Sequence, residues 1–243
     1  MMAAMSTPKG AALVTGGARR IGAAIARALA QDGYDIALHY RTSAESAEGI
    51  AEEIEGLGRR CRLFRCDLDR HEEMTGLIPG VREQFPRLNV LINNASIFEP
   101  GTLAGTGRDL FERHFNINFK APFFLTQAFA EGCEHGQIIN ILDTRVSRSD
   151  QHHAAYTLSK KALLELTRMA ARELGPAIRV NGVSPGMILP PPGGVVDELE
   201  RRSAGLPLKR IGDTANLVAA VRFLLENPFI TGECIYVDGG EHL

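Results

Sequence analysis

Short apolar runs alternate with segments of helical period along this chain. Ala11–Thr15 is an apolar run that ends in Gly16-Gly17, and Arg20–Gln31 then places Ile21, Ile25, Ala28 and Leu29 on one helical face. Asp35–Tyr40 reads as a second strand, Ser43–Leu57 as an acidic-faced helix closed by Gly58, and Cys61–Cys66 as a third strand. His71–Phe85 has helical spacing interrupted near Pro79, and Val90-Leu91-Ile92 opens a fourth strand. Ile138–Leu142, Arg179–Val183 and Cys234–Val237 read as the fifth to seventh strands, with helices over Leu110–Glu131, Ala154–Leu174 and Thr214–Leu225. Strands alternating with helices of this length imply right-handed crossovers and a doubly wound α/β fold, its parallel sheet covered by helices on both faces.

No linker or repeat divides the pattern, so residues 9–243 are expected to form one domain behind a flexible tail at residues 1–8. A boundary at Pro190-Pro191-Pro192-Gly193-Gly194 would leave under 50 residues, too few for an independent parallel α/β unit. The run reads instead as part of a surface loop over about 186–206, placed to contact a substrate.

Composition narrows the function. The net charge of −2, without a long run of one sign, argues against a sequence-independent nucleic-acid surface. Cys61, Cys66, Cys133 and Cys234 form no C-x-x-C pair and stand in no Cys/His cluster of zinc spacing, so they read as reduced thiols and no metal is expected. The segment from Met1 to Pro8 lacks the basic start and long apolar stretch of a signal peptide, and no run approaches the ~20 apolar residues of a membrane span. The expectation is a cytoplasmic protein without a membrane partner.

The segment Thr15-Gly16-Gly17-Ala18-Arg19-Arg20-Ile21-Gly22 joins the first strand to the first helix. Small residues there let backbone approach a pyrophosphate, and the helix N-terminus supplies N–H groups and a positive dipole. The second strand ends His39-Tyr40-Arg41-Thr42-Ser43, with no acid before Glu45 to accept from a ribose 2′-hydroxyl. Arg41 suits a 2′-phosphate through its guanidinium fork and Ser43 adds a hydroxyl, so NADP is favoured over NAD. Arg19 or Arg20 adds positive charge. Asp67-Leu68 and Asn93-Asn94-Ala95-Ser96 follow the third and fourth strands on the same sheet edge. Asp67 suits an adenine amino group, and the Asn-Asn-Ala turn offers bare backbone; each is also an ordinary turn sequence.

Tyr156 and Lys160 are four residues apart on a predicted helix and share a face. A lysine ammonium beside a phenol favours phenolate and lowers its pKa from ~10, which would make Tyr156 an acid–base group, with Lys160 also placed to hold a nicotinamide ribose. Asp143 lies thirteen residues ahead of Tyr156. A carboxylate accepts hydrogen bonds but cannot donate one to a carbonyl, and it repels a developing alkoxide.

Along essentially its whole length the chain resembles the short-chain dehydrogenases/reductases. The likeness rests on Thr15-Gly16-x-x-x-x-Ile21-Gly22, Asn93-Asn94-Ala95-Ser96, Asn118 in Asn-Ile-Asn-Phe, Tyr156-x-x-x-Lys160, Pro185-Gly186 and Asp238-Gly239-Gly240. It implies a Rossmann-type sheet of seven strands and a homotetramer built partly on the helices around Ala121–Glu131 and Ala154–Leu174. It also implies that Asn118 orders a water in a proton relay with Lys160 and Tyr156, and that Pro185, Gly186 and Met187 reach the cofactor. Two departures stand out: Arg20 where most members have the middle glycine of the first turn, and Asp143 where most have serine.

Both departures, with His39-Tyr40-Arg41, Ser43 and Asn94-Ala95-Ser96-Ile97-Phe98, resemble the pteridine reductases and the bacterial dihydromonapterin/dihydrofolate reductases. That branch implies a pterin stacked on Phe98 against nicotinamide, held and protonated with the help of Asp143, and Arg20 reaching cofactor or pterin. A pterin is flat and rich in N–H donors, which suits Phe98 and a carboxylate. The expectation is an NADPH-dependent dihydropterin reductase with catalytic Asp143, Tyr156, Lys160 and Asn118. The alternative is a carbonyl or hydroxyl oxidoreductase of the same superfamily, and a third is a cofactor-sensing protein without catalysis. His152 and His153 read as rim residues.

Overall fold

Alternate strand residues go to opposite faces of a sheet, and here both faces are buried. In the computed structural model, which describes residues 8–189 and 196–243, seven parallel strands form one sheet in the order β3-β2-β1-β4-β5-β6-β7. They are β1 Ala11–Val14, β2 Asp35–Tyr40, β3 Cys61–Arg65, β4 Leu88–Asn93, β5 Gly136–Ile141, β6 Ile178–Pro185 and β7 Cys234–Val237. Leu13 pairs in register with Ala37 on one side and Leu91 on the other. Val14, Leu38 and Ile92, the next residues along, pack with Ile25 and Leu29 of α1 (Arg20–Gln31), Ile54 of α2 (Ala44–Gly56) and Val221 of α9 (Thr214–Glu226). Leu13, Ala37 and Leu91 face the other way, onto Ile78 of α4 (Leu77–Gln84) and Leu125 and Phe129 of α6 (Ala121–Ala130). Each of these side chains larger than alanine, fully buried, contributes ~1.5–3 kcal/mol. Two opposed apolar layers on one parallel sheet are the doubly wound α/β fold the alternation predicts.

Because all strands run parallel, their carboxyl ends share one edge. The chain leaves β1 toward β2 on one side and later enters β4 on the other, which opens a crevice between the ends of β1 and β4.

The elements depart from expectation in three places. The break in the third helical segment falls at Gly76, between α3 (His71–Thr75) and α4, while Pro79 sits in the first turn of α4, where its missing N–H costs no hydrogen bond. The segment expected as one helix over Leu110–Glu131 is α5 (Arg108–Phe115), a wide π-type turn at Asn116–Lys120, and α6. The expected loop over about 186–206 contains α8 (Val196–Ser203); its Pro190–Gly194 run lies outside the described residues. No described helix is long and apolar enough to cross a membrane.

Candidate active site

The turn after β1 is fixed from three sides. Gly16 has φ +61, a conformation glycine adopts without strain. Its N–H donates to Nδ1 of His39 at 3.0 Å, and Nε2 of His39 lies 3.0 Å from the Cys66 carbonyl. His39 is therefore a neutral imidazole with its proton on Nε2, bridging the ends of β1 and β3, and burial lowers its pKa to about 4. The Thr15 hydroxyl accepts from the Asn94 and Ala95 N–H groups, and the Asn94 amide donates to the Thr15 carbonyl at 2.8 Å, which ties the turn to the loop after β4. A Cβ on Gly22 would stand 2.3 Å from the Gly16 carbonyl oxygen, so only glycine lets α1 start this close to the turn. Arg20, at the family's middle-glycine position, is held at φ 54, a left-handed conformation that costs a non-glycine residue roughly 1–2 kcal/mol.

A cleft of about 350 Å³ opens over this turn. Gly16, Arg19, Arg20, Ile21 and Gly22 form its floor, His39, Arg41, Asp67 and Leu68 one wall, and Asn94, Ala95 and Ser96 the other. Cys66, Ile97 and Ile117 complete it; the sequence reading gave none of the three a place in the site, although each adjoins a residue it did place there. Within that wall, Nη1 of Arg41 lies 4.0 Å from Oδ1 of Asp67. Tyr40 and Ser43 do not line the cleft: Tyr40 packs against the core cluster, and Ser43 precedes α2 without capping it through its side chain. Pro185, Gly186 and Met187 lie at the end of β6, where Gly186 N–H donates to the Val237 carbonyl at 3.0 Å.

A second group of site residues gathers around the end of β5. Tyr156, in α7 (Ala154–Leu174), donates its hydroxyl to Oδ2 of Asp143 at 2.7 Å. Asp143 also caps the short helical turn Thr144–Ser147 by accepting from Arg145 N–H at 2.8 Å, and the Arg145 guanidinium pairs with both its oxygens at 3.2 and 3.3 Å. Lys160 is buried and donates to the Ile141 carbonyl at 2.8 Å; its Nζ lies 6.0 Å from the Tyr156 ring centroid. Burial brings Lys160 down to about 8. The Tyr156 phenol moves opposite to the expectation that Lys160 would lower it: burial and the Asp143 charge hold it well above 10. Tyr156 is thus a neutral phenol aimed at a carboxylate.

Asn118 sits fully buried in the wide turn between α5 and α6. Its Oδ1 accepts from Ile97 N–H and the Ser96 hydroxyl, and its Nδ2 donates to the Ile97 carbonyl and the Ser159 hydroxyl. It holds the loop after β4 against α7. That loop then carries Phe98, whose ring meets Tyr156 edge-on at 4.7 Å between centroids and stacks on His153 at 4.3 Å. His153 is no simple rim residue. It shares Asp150 with Arg145, and the backbone hydrogen bonds Gly101–His152 and Ala154–Gly101 zip the two loops together. The place of His153 carried no sequence signal, since its stacking partner Phe98 lies more than 50 positions earlier, and Asp150 was not singled out.

A sheet wound in this order, with a glycine turn at its switch point and a Tyr156/Lys160 pair beside the end of β5, defines an oxidoreductase of the short-chain dehydrogenase/reductase class. Residues 16–242 match the model of the enoyl-(acyl carrier protein) reductase family, and the chain belongs to that family. It is 35% identical to FolM alternative dihydrofolate reductase 1 of Brucella suis, solved in complex with NADP, with a TM-score of 0.92 over 96% of this chain and 95% of that one. A blue fluorescent protein from a metagenomic library, solved in complex with NADPH, is 38% identical with a TM-score of 0.89 over 96% of this chain and 98% of that one. The 3-oxoacyl-(acyl-carrier-protein) reductase FabG of Staphylococcus epidermidis is 32% identical over 240 residues, 96% of this chain and 98% of the relative.

Proposed function

We propose that this protein is an NADPH-dependent reductase of dihydropterins, taking a C=N bond of dihydrobiopterin, dihydromonapterin or dihydrofolate to the tetrahydro level. The observation that carries the reading is the Tyr156 hydroxyl 2.7 Å from an Asp143 oxygen, with the Phe98 ring against Tyr156. The likeness to FolM supports it.

The residues present fit the cofactor: the close start of α1 over the turn that Gly22 allows, the left-handed Gly16 and the arginines of the cleft suit a dinucleotide with an extra phosphate. Gly16, Ile21 and Gly22 would lie under the pyrophosphate, Arg19, Arg20 and Arg41 near phosphate groups, and Asp67 and Leu68 near adenine. Asn94, Ala95 and Ser96 would pass it along bare backbone, while Lys160 and the Pro185–Met187 segment meet the nicotinamide half. His39 acts from behind by holding the turn, and Tyr40 and Ser43 flank the Arg41 wall. When bound, the cofactor supplies hydride to carbon. The proton for nitrogen comes from the Tyr156–Asp143 pair, which holds one proton between its two oxygens. Lys160 and Arg145 balance the charge left on that pair, and Asn118 keeps the loop bearing Phe98 in register with α7.

A carbonyl reductase is the second reading, favoured by the FabG relative. The Asp143 carboxylate counts against it, because it stands where a nascent alkoxide would need a donor. The Asp143→Ser variant separates the two. Selective loss of dihydropterin turnover, of about 10²-fold or more, supports the pterin reading, and equal loss on pterins and ketones contradicts it. We place the enzyme in the cytoplasm as a homotetramer of single-domain subunits. Phe123, Leu158 and Met169, exposed on α6 and α7, support assembly through those helices.

A further inference from the structure

Both ends of the turn that Asp143 caps are tied to the last residues of the chain. Thr144, the first residue of the turn, is buried, and its hydroxyl donates to Oδ2 of Asp238 at 2.7 Å, across 94 positions. Just past the turn, Arg148 donates to the Glu241 carbonyl at 3.2 Å and pairs with the Glu241 carboxylate. Asp238 is itself fixed by its neighbours. Its Oδ1 accepts from Gly240 N–H at 2.9 Å, and its Oδ2 also accepts from the backbone N–H and the Nδ1 of His242 at 3.0 and 2.8 Å. Burial favours the neutral acid, but the donors of Thr144, His242 and Gly240 outweigh it and hold the carboxyl below its usual range. The His242 ring stacks on Tyr236 of β7 with 4.2 Å between centroids, which seats these last residues on the sheet.

Asp238 also backs the segment after β6. A Cβ on Gly186 would stand 2.5 Å from the Asp238 Cβ and 3.0 Å from Oε2 of Glu241. One residue therefore packs against the segment assigned above to the nicotinamide half and bonds to the turn that bears Asp143. We propose that Asp238 is a positioning residue: through the Thr144 hydroxyl it holds the Tyr156–Asp143 pair at a set distance from the hydride donor. The inference rests on the proposed function, which makes that pair the source of the proton. The bonds from Arg145 to Asp143 lie within the turn and travel with it, so they hold the carboxylate in shape and not in place. The bond from Thr144 to Asp238 fixes the turn to the sheet edge instead. Hydride and proton reach neighbouring atoms of one substrate, so their sources must keep their spacing, and a misplacement of about 1 Å can cost up to ~10²-fold in rate.

Thr144→Val cuts this link while keeping the outline of the side chain, and it leaves Asp238 its donors from Gly240 and His242. The kcat for dihydropterin should fall about tenfold, while the affinity for NADPH, read by fluorescence titration, changes by less than about twofold. Thr144→Ser restores the hydroxyl and should regain most of the rate. In an Asp143→Ser background, Thr144→Val should change kcat by less than about twofold, because the carboxylate it places is gone. A merely structural role gives another pattern, with weaker NADPH binding and the same fractional loss in both backgrounds. That pattern, or an unchanged kcat in Thr144→Val, overturns the proposal. Thr144→Ala carries the same comparison should the valine variant fail to fold, as judged by its melting. Wild-type turnover of ketones and of no dihydropterin would overturn the proposed function, and the same pair of backgrounds read on the ketone would still decide the role of Asp238. Turnover of neither would overturn both.

Discussion

Acidification should loosen the glycine turn through one residue, His39. The imidazole is buried and neutral, with a pKa of about 4 when folded against 6.5 in the unfolded chain. Between those values the unfolded chain takes up a proton that the folded protein refuses, so stability is complete above pH 6.5 and falls as pH drops toward 4. Each pH unit in that window is worth about 1.4 kcal/mol, a loss of about 3 kcal/mol by pH 4. His39→Leu removes the titration but strands the Gly16 N–H and the Cys66 carbonyl, which costs roughly 2–4 kcal/mol at pH 7. The stability gap between wild type and variant, measured by urea unfolding at fixed protein concentration, should therefore narrow by about 2–3 kcal/mol between pH 7 and pH 4.5. The carboxylates whose pKa values are held down, such as Asp150 at about 2, lose their contribution at lower pH and do so in both proteins. A gap that stays constant across the window would refute the neutral bridging role of His39.

Gly22→Ala should abolish measurable NADPH binding and destabilise the fold, because its methyl would press on the Gly16 carbonyl oxygen 2.3 Å away; fluorescence titration and melting check both. Arg41→Ala should raise the KM for NADPH by roughly 10–100-fold while leaving that for NADH nearly unchanged, as expected for a lost contact to a 2′-phosphate. Lys160 titrates at about 8, so kcat/KM should decline as pH rises through that value and the cation is lost, and Lys160→Arg should move the decline to higher pH if it retains turnover.

The sheet was legible in the sequence because each strand is a short apolar run bounded by breakers, and a parallel sheet buried on both faces needs such runs. The wide turn at Asn116–Lys120 was not legible, since one extra residue in a helix leaves the surrounding period nearly intact. The cleft residues follow strands in the sequence and could be read from position. The setting of Tyr156 could not. Its neighbour along the helix, Lys160, suggested an acidic phenol, whereas contacts across the fold with Asp143 and a dry interior decide the opposite. Arg145 was legible only as a neighbour of Asp143; its place over Phe98 depends on two loops meeting.

The central claim, that the Tyr156–Asp143 pair serves a flat N–H-rich heterocycle, is tested most directly by NADPH oxidation with dihydrobiopterin, dihydromonapterin and dihydrofolate beside a panel of ketones. The account predicts kcat/KM at least 10²-fold higher for one or more of the dihydropterins, with most of that activity lost in Tyr156→Phe. Turnover of ketones alone would contradict it.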